Sequence, residues 1–132
     1  MIITAFHSHL SNDAGVAAIA GGIFPHHIPQ NSTFPAITYE LDSDEDYQTL
    51  GGISGMSSAL FDVNCWDLVL ITAHQLADAV ESALVNYRGD LGGISPAVTV
   101  NHLRKDRGRF EFFETDTKLY RVSMRFFVAY ED

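Results

Sequence analysis

From Ile71 to Tyr87, apolar residues recur at spacings of three and four, which places them on one face of a helix. That face consists of Ala73, Leu76, Ala77, Val80, Ala83, Leu84 and Tyr87. An apolar stripe of this kind is stable only against another apolar surface, so we expect the helix to pack on a sheet. Gly89 is expected to stop the helix, because glycine adopts left-handed backbone angles easily.

Alternation of apolar and polar residues predicts the strands of that sheet. It is clearest in two segments, Ala59–Leu68 and the run "KLYRVSMRFFVAY" that begins at Lys118. Shorter strands are predicted from Phe34 ("FPAITYEL"), from Ala97 ("AVTVNHL") and from Arg109 ("RFEFFE"). The residues "TDT" between the last two strands indicate a hairpin turn.

The N-terminal part of the chain has weaker helical periodicity, from Ile2 to Ala20, with "SND" as an internal break or helix cap. Two glycines follow and are expected to end the helix. Pro25, Pro29 and Pro35 then disfavour both helix and strand interiors, so the stretch before the Phe34 strand is predicted to be irregular.

This order of helix, strand, long segment, strand, helix and strands predicts an α+β fold. We expect a single domain over residues 1–132, in which a mainly antiparallel or mixed β-sheet packs against an N-terminal helix and one long central helix. The length of 132 residues is that of one ordinary domain, and no internal repeat or linker indicates a second.

The charge balance disfavours nucleic-acid binding. A formal net charge of −9 argues against nucleic-acid binding through a broad basic surface. The few basic residues cluster in "HLRKDRGRF", His102 to Phe110, which we interpret as a solvated strand end or turn.

No basic leader precedes the first apolar residues, and prolines interrupt the longest charge-free stretch, so we expect neither a signal peptide nor a membrane span.

No motif in the sequence predicts a catalytic, metal or cofactor site. His26 and His27 are adjacent, and in an extended backbone their rings point to opposite sides. The acidic run from Asp42 has carboxylates at positions 1, 3 and 5 of a calcium loop, but it lacks the glycine at position 6 and the glutamate at position 12. Cys65 lies in an apolar strand, where its thiol is expected to be inert. We therefore expect no enzyme activity and no cofactor.

The segment Asp42–Ser58, "DSDEDYQTLGGISGMSS", is acidic and then glycine-rich, and it is predicted to be a long loop or a protruding hairpin. Compact domains seldom carry such a stretch without a use for it, so function is expected here first. The candidate assembly-interface or channel-lining residues are Asp42, Asp44, Glu45, Asp46, Leu50, Ile53 and Met56.

The order of these landmarks resembles that of the tail completion, or tail terminator, proteins of long-tailed bacteriophages. The resemblance rests on "FPAITYEL", the glycine-rich gap, "FDVNCWDL", the helix "AHQLADAVESAL" and the ending "LYRVSMRFFVAYED". It covers nearly the whole chain and is clearest from Gly22 to Asp132.

The resemblance implies a structural virion protein, assembled in the host cytoplasm, that caps the tail tube as a homo-oligomeric ring of six copies. Its implied partners are the tail tube protein and a head-completion or connector protein, and it implies no catalytic residue. Two alternatives stay open. One is a neighbouring head-tail connector protein, and the other is a small cytosolic enzyme or ligand-binding domain whose pocket is built from distant residues such as Tyr39, Asp62 and His102.

Overall fold

The computed structural model describes residues 1–49 and 52–132, and the side chains of residues 48–54 are outside the description. The helices are α1 (Ile2–Asn12), α2 (Ala14–Ala17) and α3 (Leu70–Leu84), and the strands are β1 (Gly22–Pro25), β2 (Ala36–Thr49), β3 (Gly52–Asp67), β4 (Gly89–Asp90), β5 (Thr99–Glu114) and β6 (Leu119–Glu131). No helix in these residues combines the length and apolar character needed to cross a bilayer.

The six strands form one sheet in the order β1-β2-β3-β6-β5-β4. Only β1 and β2 are parallel, and the other neighbours are antiparallel. The three helices contribute to a single apolar core on one face of this sheet. The α+β class with a mainly antiparallel, mixed sheet and two principal helices is thus confirmed.

Helix α3 buries the stripe that its sequence predicts, except that Tyr87 lies after its end. Leu76, Val80 and Leu84 are fully buried in the core, against β3 and β6. The helix ends at Leu84, and the left-handed residue after it is Asn86 (φ 65°). The expectation that Gly89 stops the helix is therefore wrong, because an asparagine already supplies those angles.

The N-terminal helical region is divided where "SND" indicates a break. The Asp13 carboxylate accepts a 3.0 Å hydrogen bond from the Val16 amide and thereby caps α2. Helix α1 buries Phe6, whose ring stacks on that of Phe61 in β3 with centroids 4.0 Å apart. This contact fixes α1 over the middle of the sheet.

Two strand predictions need correction. The stretch before Phe34 contains a short strand, β1, in which Ile23 and Phe24 pair with Ile37 and Thr38 of β2. The basic cluster 102–110 is not a strand end or turn but the middle of β5, which runs without interruption from Thr99 to Glu114. Its register shifts three times against β6, and these irregularities hide the alternation in the sequence.

The segment from Asp42 to Ser58 forms the hairpin alternative rather than a loop. Strands β2 and β3 pair along their length, out to Gln48 opposite Ile53 and Thr49 opposite Gly52. Strand β6 stops at Glu131, opposite Met56. The hairpin therefore extends past the end of β6. We call its β2 portion from Asp42 to Asp46 the acidic arm; it lies before this extension, opposite residues of β3 that still pair with β6.

Candidate assembly surfaces

The carboxylates of the acidic arm are bound to the neighbouring strands rather than fully solvated. Asp44 accepts a 2.6 Å hydrogen bond from the Tyr130 hydroxyl, and Asp46 accepts one of 2.6 Å from the Ser57 hydroxyl. Each bond uses one carboxylate oxygen, so the charge of the arm stays available at its surface. Glu45, which lies between them, is exposed.

Arg125 fixes the base of the arm. Its guanidinium donates to both carboxylate oxygens of Asp62, at 2.8 and 3.3 Å, and lies 3.6 Å from a carboxylate oxygen of Asp42. The hydrogen bond to Asp62 raises the pKa of Arg125 above its ordinary value, and the coulombic attraction of both aspartates adds to the shift.

The apolar candidates of the same segment are less defined. Met56 pairs with Glu131 and is 37% exposed. Ile53 lies opposite Gln48, with its side chain outside the description. Leu50 lies outside the described residues.

The sheet face opposite the helices carries residues that the sequence analysis did not select. Arg107 lies over the ring of Phe110 at 5.1 Å, and Arg121 lies over Phe112 at 4.2 Å and over Trp66 at 5.5 Å. Phe110 and Phe112 are 51% and 42% exposed. We call these five residues the arginine–aromatic face.

The register of β5 and β6 brings this face together. Phe112 pairs with Arg121 and Phe110 pairs with Ser123, whose hydroxyl accepts a 3.0 Å hydrogen bond from Arg107. The alternation of Phe110 and Phe112 is visible in "RGRFEFFE" and could have indicated an aromatic stripe. Its arginine partners could not have been found, since they depend on the register.

Next to this face, the irregular segment before β2 covers an open groove of about 650 Å³. Its apolar lining includes Phe34, Trp66 and Leu119, and both His26 and His27 also line it. His26 has φ 64°, so the extended backbone assumed for this pair is wrong. In the described part of the chain, no group of three or more His, Cys, Asp or Glu side chains is placed to hold a metal ion.

The residues that could have formed an enzyme site do not converge. Tyr39 points into the helix-covered core, where its hydroxyl is 2.9 Å from His7, and burial raises its pKa. Asp62 lies on the opposite face, bound to Arg125. Cys65 is fully buried, and burial strongly raises the pKa of its thiol, as expected of a structural cysteine.

A further exposed apolar cluster lies where β3 leads into α3. Leu68, Val69 and Ile71 are all more than half exposed. Exposed apolar side chains in this density are typical of protein–protein contact surfaces. The described residues thus present an acidic hairpin arm, an arginine–aromatic face and an exposed apolar junction.

The profile of the family described as "Tail completion protein gp17" matches residues 4–131, which is nearly the whole chain. The chain belongs to this family, and the resemblance noted in the sequence is confirmed. It is accordingly a structural tail protein of phage-like virions, and membership in a structural family favours a non-enzymatic role.

Solved structures share the fold. A chain of the "Virion of native gene transfer agent (GTA) particle" is similar, with a TM-score of 0.65 and 18% identity, over 96% of this chain and 92% of that chain. A second solved structure has a TM-score of 0.51 and 18% identity, over 98% of this chain and 92% of that chain. No curated protein matches.

Proposed function

We propose that this protein forms a homo-oligomeric ring that caps the head-proximal end of the tail tube and joins the tail to the head. The family match over residues 4–131 is the observation that carries the proposal. The resemblance to tail terminator proteins implies six copies in the ring. The proposed partners are the tail tube protein on one side and a head-completion or connector protein on the other.

The distribution of surfaces supports an assembly role of this kind. A ring subunit needs at least two different contact surfaces for its neighbours, and further ones for the structures above and below it. The acidic arm, the arginine–aromatic face and the apolar junction at Leu68, Val69 and Ile71 are on separate parts of the molecule. They supply the number and the chemical variety of surfaces that the proposed role requires.

The charge of the chain is compatible with DNA passing through the ring. A net charge of −9 per chain gives phosphates no general attraction, so a channel built from this subunit does not retain the genome electrostatically. A strongly basic channel would slow the passage of DNA.

The oligomeric state and the position in the particle test the proposal. Light scattering after size-exclusion chromatography should give six times the 14.6 kDa mass of one chain. Gold-labelled antibodies against the chain should mark the junction of head and tail in intact particles. A monomer at every concentration, or labelling at the tail tip, contradicts the proposal.

A further inference from the structure

Seven of the eight lysines and arginines of the chain lie between positions 104 and 125, and six of these are on β5 and β6. Most are paired with carboxylates of the same chain. Lys105 and Arg109 donate to Glu81 of α3 at 3.0 and 3.1 Å, and Arg125 is held by Asp62. Their charges are therefore used within the subunit.

Arg107 and Arg121 are different. The Nε atoms of both are buried and have no hydrogen-bond partner in the described residues. Arg121 has one loose ion pair, at 3.5 Å from Glu114, and Arg107 has no carboxylate at ion-pair distance within the described part of the chain. Buried polar atoms usually have a hydrogen-bond partner, so the Nε–H groups of these two arginines are left unsatisfied in a single subunit.

The surroundings favour a carboxylate-bearing partner over a nucleic acid. The guanidinium groups lie 4.2 to 5.5 Å from the ring centroids of Phe110, Phe112 and Trp66, which is within the range of cation–π attraction. Arginine in such a setting binds carboxylates through paired hydrogen bonds. The net charge of −9 and the acidic residues nearby give no extended basic surface for a phosphate backbone.

The same chain carries a complementary surface. The acidic arm has four carboxylates within the five positions from Asp42 to Asp46, and it lies at an edge of the sheet, because β1 pairs only with residues 36–39 of β2. We propose that the acidic arm of one subunit docks on the arginine–aromatic face of the next subunit. This inference rests on the proposed ring and names the contact that closes it.

Such a contact is heterologous, because two different surfaces of the same chain meet. Repetition of a heterologous contact produces a closed ring when the rotation between subunits closes. Each subunit then donates one arm and receives another, so every Arg107 and Arg121 obtains carboxylate partners. A dimer with two equivalent contacts would not produce a ring.

Charge reversal tests the contact. The arm variant carries Glu45→Lys and Asp46→Lys, and the face variant carries Arg107→Glu and Arg121→Glu. Each variant alone should raise the concentration needed for assembly at least about tenfold, because like charges then meet at the contact. If only the net repulsion between chains mattered, the arm variant would instead assemble better than the unmodified chain. Its two substitutions add +2 each and change its formal charge from −9 to −5.

Mixing the two variants gives the sharper result. In the mixture, the intact arm of the face variant meets the intact face of the arm variant, which is the native contact. The Lys-bearing arm of the arm variant meets the Glu-bearing face of the face variant, which is the same contact with the charges exchanged. The mixture should therefore form rings in which the two variants alternate, at concentrations where neither variant assembles alone, which also shows that both variants are folded. A chain with all four reversals should form rings again. Arg88→Glu, an exposed arginine in the α3–β4 connection, is the matched control and should assemble like the unmodified chain.

Three results would overturn the inference. They are rings of the arm variant at the unmodified concentration, rings of the face variant, or a mixture that stays monomeric although circular dichroism shows both chains folded. Rings from the arm variant would leave the arm as a channel lining or a site for another virion protein. If the unmodified chain itself stays monomeric, the proposed ring fails, and this result is distinct from the other three.

Discussion

The hydroxyl of Tyr130 donates a 2.6 Å hydrogen bond to Asp44, which connects β6, the last strand along the chain, to the acidic arm. Tyr130 is almost completely buried, whereas Asp44 is exposed. The bond therefore holds a surface carboxylate in place from the core side. Together with the contacts of Arg125, it gives the arm a defined position before any partner binds.

Replacing Tyr130 by phenylalanine should loosen the arm without unfolding the protein. The ring of phenylalanine fills the same space, and the lost hydrogen bond to a charged acceptor should lower the free energy of unfolding by about 1–3 kcal/mol. Hydrogen exchange of the arm amides should become faster, while that of α3 should not change. Equal exchange of the arm in both proteins would show that this bond does not position it.

The same hydroxyl makes stability sensitive to alkaline pH. Burial raises the pKa of Tyr130 above its ordinary value, and the hydrogen bond to Asp44 raises it further. The protonated hydroxyl is thus favoured in the folded state, so its stabilising effect is present below pH about 10 and is lost as the pH rises above that value. The difference in unfolding free energy between the unmodified protein and Tyr130→Phe should fall by about 1.4 kcal/mol per pH unit there. A difference that is constant from pH 8 to 11.5 contradicts this assignment.

Truncating Leu84 to alanine should open a cavity in the core. The side chain is fully buried at the end of α3, and large-to-small changes at such positions cost about 2–5 kcal/mol. Ser82→Ala, at an exposed position of the same helix, is the control and should change the unfolding free energy by less than about 0.5 kcal/mol. Chemical denaturation measures both, and similar losses for the two variants would place Leu84 outside the core.

Assembly should protect the arm from hydrogen exchange. In the single subunit β1 pairs only with residues 36–39 of β2, so the arm is an edge strand and its amides are expected to open locally. If the arm docks on a neighbour, amides from Asp44 to Thr49 should exchange at least about tenfold more slowly in the ring. Unchanged rates would place the arm at a solvent-exposed position of the assembly.

The sequence predicts α3 and the core strands well, because the spacing of their apolar residues follows from which side chains are buried. The apolar residues from Ala73 to Leu84 are buried as expected, and Phe61, Val63 and Cys65 share the inner face of β3. Strand β1 was missed because it has only four residues and is defined by its parallel pairing with β2, a contact between segments that no local pattern records.

The candidate site was predicted in part. The acidic run and its hairpin are visible as sequence, but its bonds to Tyr130, Ser57 and Arg125 depend on strand pairing. The arginine–aromatic face was missed for a physical reason. The register shifts between Lys105 and Phe110 change which side of the strand each residue faces, so alternation does not place Arg107 on the same face as Phe110 and Phe112.

The most direct test of the account is electron microscopy of particles made without this protein. In the phage or phage-like element that encodes it, a stop codon early in the gene should leave filled heads and separate tails, and supplying the protein in trans should restore joined particles. The arm variant supplied in the same way should restore few or none. Normally joined particles that lack the protein, verified by mass spectrometry, would contradict the proposed role at the head-proximal end of the tail.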